Sequence, residues 1–150
     1  MKQMKLLGAS YLVTSDGKQI PLDTVGNIEI QAAITVLVRG GRDYADRERV
    51  FQVLDQLQSE RPIKAIIHGA ASGADRLAGE WARGRLKAEI ARPANWRLHG
   101  KAAGPIRNSE MLLLKPDMVV AFPGGRGTQD MINQAKRAGI EVWCPRGGEA

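Results

Sequence analysis

The sequence is poor in aromatic residues, in cysteine and in long apolar runs. Phe, Trp and Tyr make up only 5% of its 150 residues, a thin inventory for stacking the bases of a nucleic-acid strand. No stretch approaches the roughly 20 apolar residues that span a bilayer. The opening residues carry no apolar signal-peptide core, so no membrane partner is expected. The single cysteine, Cys144, excludes an internal disulfide, and a reducing cytosol is the simplest setting. His68, His99 and Cys144 lack metal-ligand spacing. The P-loop spacing, the G-x-G-x-x-G dinucleotide fingerprint and the G-x-S-x-G nucleophile turn are absent. No cofactor and no metal are therefore expected. Repeats, low-complexity blocks and interdomain linkers are absent too.

What the chain does have is a glycine-rich turn placed directly after an apolar run. Met118 to Phe122 leads into Pro123-Gly124-Gly125-Arg126-Gly127-Thr128-Gln129-Asp130. Glycines allow close backbone approach to a ligand. The free N–H groups of a following helix, assisted by its dipole, favour an anion, most naturally a phosphate. The charge balance agrees: 22 Lys and Arg against 16 Asp and Glu give +6, which favours anionic partners or serves solubility alone. The basic residues do not form one long run. Several (Arg39, Arg42, Arg107, Arg126) sit in or beside glycine-rich turns, which suits a small anion better than a DNA track.

Residues 1–32 read as an N-terminal β extension. Tyr11–Thr14 and Gln19–Leu22 flank Ser15-Asp16-Gly17-Lys18, a hairpin signature, with Pro21 favouring an edge. Asn27 to Gln31 is a further candidate strand. Residues 33–144 alternate strand and helix. Ile34–Val38 is a β-branched run suited to a strand buried on both faces. Val50, Val53, Leu54 and Leu57 recur at helical spacing, and Pro62 closes that helix. Ile63–His68 is a strand, and Ala74, Leu77, Ala78, Trp81 and Ala82 form the next helical stripe. Lys87–Ala91 reads as a short strand, 94–105 as loop, Ile106–Leu114 as helix, Met118–Phe122 as strand, Gly127–Ala138 as helix and Ile140–Trp143 as strand. Residues 145–150 read as a loose tail. This order predicts an α/β fold, a Rossmann-like three-layer α/β/α domain with a mainly parallel sheet. Ligands of such folds bind beyond the carboxyl ends of the strands. The three glycine corners, after Arg39, His68 and Phe122, should therefore meet on one rim.

Candidate ligand residues follow from those corners. The first offers Gly40, Gly41, Arg42 and Asp43, with Arg42 reaching phosphate and Asp43 alternatively capping the next helix. The second offers His68, Gly69, Ser72, Gly73 and Asp75. Ser72 is a donor or a helix cap, Asp75 a ribose contact or an ion-pair partner, and His68 a structural residue at a strand end. The third offers Pro123, Gly124, Gly125, Arg126, Gly127 and Thr128 for phosphate, with Asp130 at ribose or stabilising the helix start. Arg107, read as starting a helix, opposes the helix dipole unless an anion is near, and Asn108 adds a polar contact. Trp81, Trp96 and Trp143 read as packing residues.

Four spaced motifs carry a resemblance. Gly40–Tyr44, His68–Asp75, Gly100–Asn108 and Ala121–Thr128 together resemble the YspA-type branch of the SLOG superfamily, over about residues 33 to 143. That superfamily also holds the Lonely Guy cytokinin-activating enzymes and the DprA/Smf proteins. The resemblance implies a Rossmann-like fold and a nucleotide or nucleotide-derived ligand. Lonely Guy enzymes are phosphoribohydrolases with an arginine in one helix and a P-G-G-x-G-T-x-E turn. Arg107 matches that arginine, and Pro123–Thr128 matches the turn. Asp130 stands where their glutamate stands, one methylene shorter, a displacement on the order of 1 Å at the carboxylate. Ala70 and Ser72 stand where the branch itself usually has Gly and Arg.

The function expected first is binding of an ADP-ribose-like or nucleoside monophosphate ligand, as a sensor or a sequestering module. The alternative is cleavage of the N-glycosidic bond of a nucleoside 5′-monophosphate, with Arg107 and Asp130 as catalytic residues. DNA binding of the DprA/Smf kind stands third, and a homo-oligomer is left open.

Overall fold

In the structure, a computed structural model, residues 5–7, 11–13, 15–21 and 32–145 are described. Two compact units divide at Ala33/Ile34. In the first, β1 (Lys5–Leu7), β2 (Tyr11–Val13) and β3 (Gln19–Pro21) form an antiparallel sheet in the order β1-β2-β3. The β2–β3 hairpin turns at Asp16-Gly17, where Gly17 takes φ +82°, a conformation open to glycine at little cost. Pro21 lies on the edge strand and so blocks no ladder partner beyond it. Strand β1 has no counterpart in the sequence reading. The candidate strand at 27–31 and the tail residues 146–150 lie outside the described residues.

In the second unit, β4 (Ile34–Arg39), β5 (Ile63–His68), β6 (Ala88–Ala91), β7 (Met118–Ala121) and β8 (Glu141–Trp143) form an all-parallel sheet. The strand order is β6-β5-β4-β7-β8. Between them run α1 (Arg47–Glu60), α2 (Ala74–Gly84), the single turn α3 (Trp96–His99), α4 (Ala103–Leu112) and α5 (Arg126–Arg137). Strand alternation sorts the core into two faces. Val36, Val38, Ile66 and Val120 pack with Val50, Leu54, Leu77 and Trp81 of α1 and α2. Leu37, Ile67 and Val119 pack with Met111 of α4 and with Met131 and Ala135 of α5. The result is a Rossmann-like three-layer α/β fold.

Local signals set the element ends, with three departures from expectation. The cap of α1 is Asp46, whose side chain accepts the Arg49 N–H at 3.0 Å; Asp43 lies three residues too early for that bond. At α2 the cap position belongs to Gly73, and the Ser72 hydroxyl instead donates to the Arg42 carbonyl at 3.2 Å. The expected loop at 94–105 is mostly helical. Asn95 accepts the Leu98 N–H at 3.0 Å and starts α3, a 3₁₀ turn spans Gly100–Ala102, and α4 begins at Ala103. Pro105 is accommodated because it sits in the first turn of α4, where an N–H has no intrahelical acceptor. Arg107 consequently lies in the second turn of α4, not at its start.

Candidate functional site

The sheet order reverses between β4 and β7, and the carboxyl ends of those strands are neighbours. Such a reversal leaves a crevice where α/β folds place ligands. Main-chain contacts join the three corners there. The Phe122 N–H donates to the Arg39 carbonyl and the Gly41 N–H to the Pro123 carbonyl, both at 2.8 Å. The Gly41 carbonyl accepts the Ala74 N–H at 3.2 Å. Gly73 has φ +78°, and a Cβ there would collide with the carbonyls of Gly41 and Arg42. Glycine is thus required by both backbone conformation and space.

Above these corners lies a cleft of two lobes. One, of about 310 Å³, is bounded by Arg39, Gly40, Gly41 and the turn Gly125–Thr128. The other, of about 360 Å³, is bounded by the segment Gly69–Ser72 with Pro93 and Ala94. Arg42, Trp96 and Arg107 line both, so the two lobes adjoin. Each lobe has a volume typical of small-molecule sites, roughly 300–1,000 Å³. Among the described residues, no acidic side chain lines either lobe.

Beneath the cleft is a buried charged network. Asp75 is fully buried, and its Oδ2 accepts from Arg39 Nη1 at 2.5 Å and from the Gly69 N–H at 2.8 Å. Arg107, 5% exposed, donates from Nη1 to the Gly69 carbonyl at 2.5 Å. The Nε atoms of Arg39 and Arg107 are buried with no hydrogen-bond partner among the described residues. Burial, and then the positive charge of Arg39, lower the pKa of Arg107 to about 10; Asp75 works in the other direction and Arg42 adds to the lowering. One carboxylate thus faces an excess of guanidinium groups, and the cleft is electropositive.

On the α5 side, Gly125 occupies the cap position without a side-chain cap, so the first amides of the helix have no intrahelical acceptor. Thr128 is 5% exposed and follows them. Asn108 is fully buried and donates to the Gly127 carbonyl at 3.0 Å and to Asp130 Oδ2 at 2.9 Å. Gln134 donates to the same oxygen at 2.7 Å.

The sequence candidates therefore fall into groups. Gly40, Gly41, Arg42, Gly69, Ser72, Arg107, Gly125, Arg126, Gly127 and Thr128 line the cleft. Gly73, Pro123 and Gly124 build the corners beneath it. Asp75, Asn108 and Asp130 do not line it: Asp75 holds Arg39 and Gly69, Asn108 holds Gly127, and Asp130 anchors Asn108. Asp43 is exposed and is not among the residues that line the cleft. His68 is buried on the far side of the Gly69 turn. Its Nδ1 accepts the Ala70 N–H at 3.0 Å, which leaves Nε2 to donate to Glu89 at 2.7 Å.

Seven lining residues are not among the sequence candidates: Arg39, Trp96 and Gly104, and in the second lobe Ala70, Ala71, Pro93 and Ala94. Arg39 ends an otherwise apolar strand, and that charge at a strand's carboxyl end was the signal for it. Trp96 is 49% exposed, and the Arg42 guanidinium lies 5.5 Å from its ring centroid. It is half-exposed and lines the cleft, whereas Trp81 is fully buried. Its exposure comes from the capped turn α3, which replaced the expected loop. Among the described residues, no group of His, Cys, Asp and Glu could hold a metal ion. No described helix is long and apolar enough to cross a membrane.

Comparison with known proteins agrees with this architecture. The model of the YspA, cpYpsA-related SLOG family matches residues 34–99, from β4 through α3. The match includes the corners at Gly40 and Gly69. The chain is also similar to the Gene 61 protein of Mycobacterium phage D29, with 40% identity over 116 residues, covering 71% of this chain and 92% of that protein.

Proposed function

The chain belongs to the YspA, cpYpsA-related SLOG family, and we propose that its cleft binds a phosphate-bearing, nucleotide-derived ligand as a sensor or sequestering module. One observation carries this reading. Arg39, Arg42 and Arg107 converge on a cleft lined by no carboxylate among the described residues, at a glycine corner that opens an uncapped helix. The guanidinium groups of buried Arg39 and Arg107 and of exposed Arg42 gain from a bound anion, and the free amides of α5 supply aligned donors. In this reading the phosphate sits against Gly125–Thr128, with the Thr128 hydroxyl as a further donor. Arg42 and Arg107 neutralise it, and Arg39 supports the field from below.

The hydrolase reading needs an acidic group at the anomeric carbon. Asp130 accepts two amide hydrogen bonds outside the cleft, and Asp75 is occupied by Arg39 and Gly69. Binding without bond cleavage accordingly stands first.

Thermal unfolding in the presence of a nucleotide panel tests the proposal. A ligand at a hundred times its Kd adds about 2.7 kcal/mol of stability, a shift of several degrees in Tm. No shift with any nucleoside mono- or diphosphate, or with a sugar phosphate, at millimolar concentration overturns it. Release of free base from a monophosphate during the same incubation would move the assignment to the phosphoribohydrolase.

A further inference from the structure

Trp96 is the feature that phosphate binding leaves unused. A tryptophan ordinarily buries its large apolar surface, yet this one is 49% exposed. Its position is built rather than incidental. The Asn95 side chain caps the turn that displays it. Gly104, in the first turn of α4, lies close beneath: a Cβ there would be 3.6 Å from the ring's Cη2. The Arg42 guanidinium stands over the ring face at 5.5 Å from the centroid. The ring thus lies at the boundary of the two lobes. The lobe toward α5 carries Arg39, Arg126 and the free helix amides. The other sets Ala70, Ala71, Pro93 and Ala94 beside the indole, with Gly69, Ser72, Arg42 and Arg107 completing its wall.

We infer that Trp96 is the stacking platform for a planar aromatic group of the ligand, a nucleobase, lying in the Ala70–Pro93 lobe while the phosphate occupies the α5 lobe. This rests on the proposed function, and it adds that the ligand is selected by its base as well as by its charge. Every nucleobase has a π face, so the platform favours bases over bare sugar phosphates without choosing strongly among them. Arg42, already on the indole, extends the stack or clamps the opposite side of the base.

The test compares the four common nucleoside 5′-monophosphates with ribose 5-phosphate, by calorimetry and tryptophan fluorescence, on the full chain and on Trp96→Phe and Trp96→Leu. Because Trp96 is half exposed, both variants should melt close to the parent. At least one nucleotide should bind the parent about tenfold tighter than ribose 5-phosphate and quench its fluorescence. Trp96→Phe should keep most of that gap. Trp96→Leu should erase it and leave ribose 5-phosphate binding unchanged. Equal binding of nucleotide and sugar phosphate by the parent, a gap that survives in Trp96→Leu, or an equal loss of both ligands overturns the inference while the phosphate site stands. Absence of binding by either class overturns the phosphate site and this inference with it.

Discussion

Arg39 and Asp75, 36 residues apart in the chain, meet as a buried ion pair at 2.5 Å under the cleft. The same carboxylate oxygen also takes the Gly69 N–H. Asp75 thereby holds the end of β4 and the turn after β5 together. Asp75→Ala strands a buried guanidinium and an amide, and such losses cost about 3–5 kcal/mol. A fall in Tm on the order of 10 °C is expected by calorimetry. Replacing both partners with apolar residues of similar size, Arg39→Met with Asp75→Leu, should recover more than half of that fall. A double variant no better than Asp75→Ala would contradict this account of the pair.

Arg107 should behave in the opposite way. Its pKa is lowered to about 10 by burial and then by Arg39. A cation whose folded pKa lies below its unfolded value lowers stability at every pH beneath the folded value, here throughout the neutral range. The charged form is therefore strained in the free protein and relieved by an anion. Arg107→Met should leave Tm nearly unchanged or slightly raised, since the lost bond to the Gly69 carbonyl offsets the relief. It should weaken phosphate ligands at least tenfold, the scale of one charge-assisted hydrogen bond. Parallel melting and binding measurements separate the two effects.

The glycines of the third corner are not equivalent. A Cβ at Gly124 would collide with the Thr128 hydroxyl and come within 2.7 Å of the Gly41 nitrogen, whereas one at Gly125 meets nothing within 4 Å. Gly124→Ala should cost about 1–3 kcal/mol as an overpacked position. Gly125→Ala should melt like the parent but bind phosphate ligands more weakly, because its methyl group enters the space left for them. Equal melting temperatures for the two would refute this distinction.

Acid stability depends on two carboxylates that do not line the cleft. The hydrogen bond from Arg85, with a further one from Trp81, holds Asp55 below its usual range despite some burial. The bond from His68, then that from Arg83, does the same for Glu89. A depressed folded pKa contributes stability above the unfolded value, near 4, which is lost as pH falls through the folded one. Asp55→Asn and Glu89→Gln should each be less stable than the parent at pH 7. The difference should shrink steadily below about pH 4. A difference independent of pH would rule out this origin.

The sheet and its helices were legible because β-branched runs and helical stripes are long enough to show their periods. Ile34–Val38 and the stripe from Ala74 to Ala82 are both found as read. The segment 94–105 was not, because α3 is a single turn and no period can be seen in four residues. At the site, glycine corners announce themselves in sequence, and the structure brings all three together. The burial of Asp75 does not: it reads as a ribose contact or as the ion-pair partner of a residue nearby in sequence, and its partner Arg39 ends strand β4, 36 residues away. Asp130 illustrates the same limit through Asn108, which comes from a different helix, whereas Gln134 is its own i+4 neighbour.

The junction at Gly41, Gly73 and Pro123 is made by main-chain atoms rather than by side chains. A scaffold joined in that way is indifferent to which residues decorate its edge. Exchanging Arg42, Ser72, Trp96 or Arg126 would retune what is held without loosening what holds it, so relatives with the same foundation are free to diverge in their choice of guest.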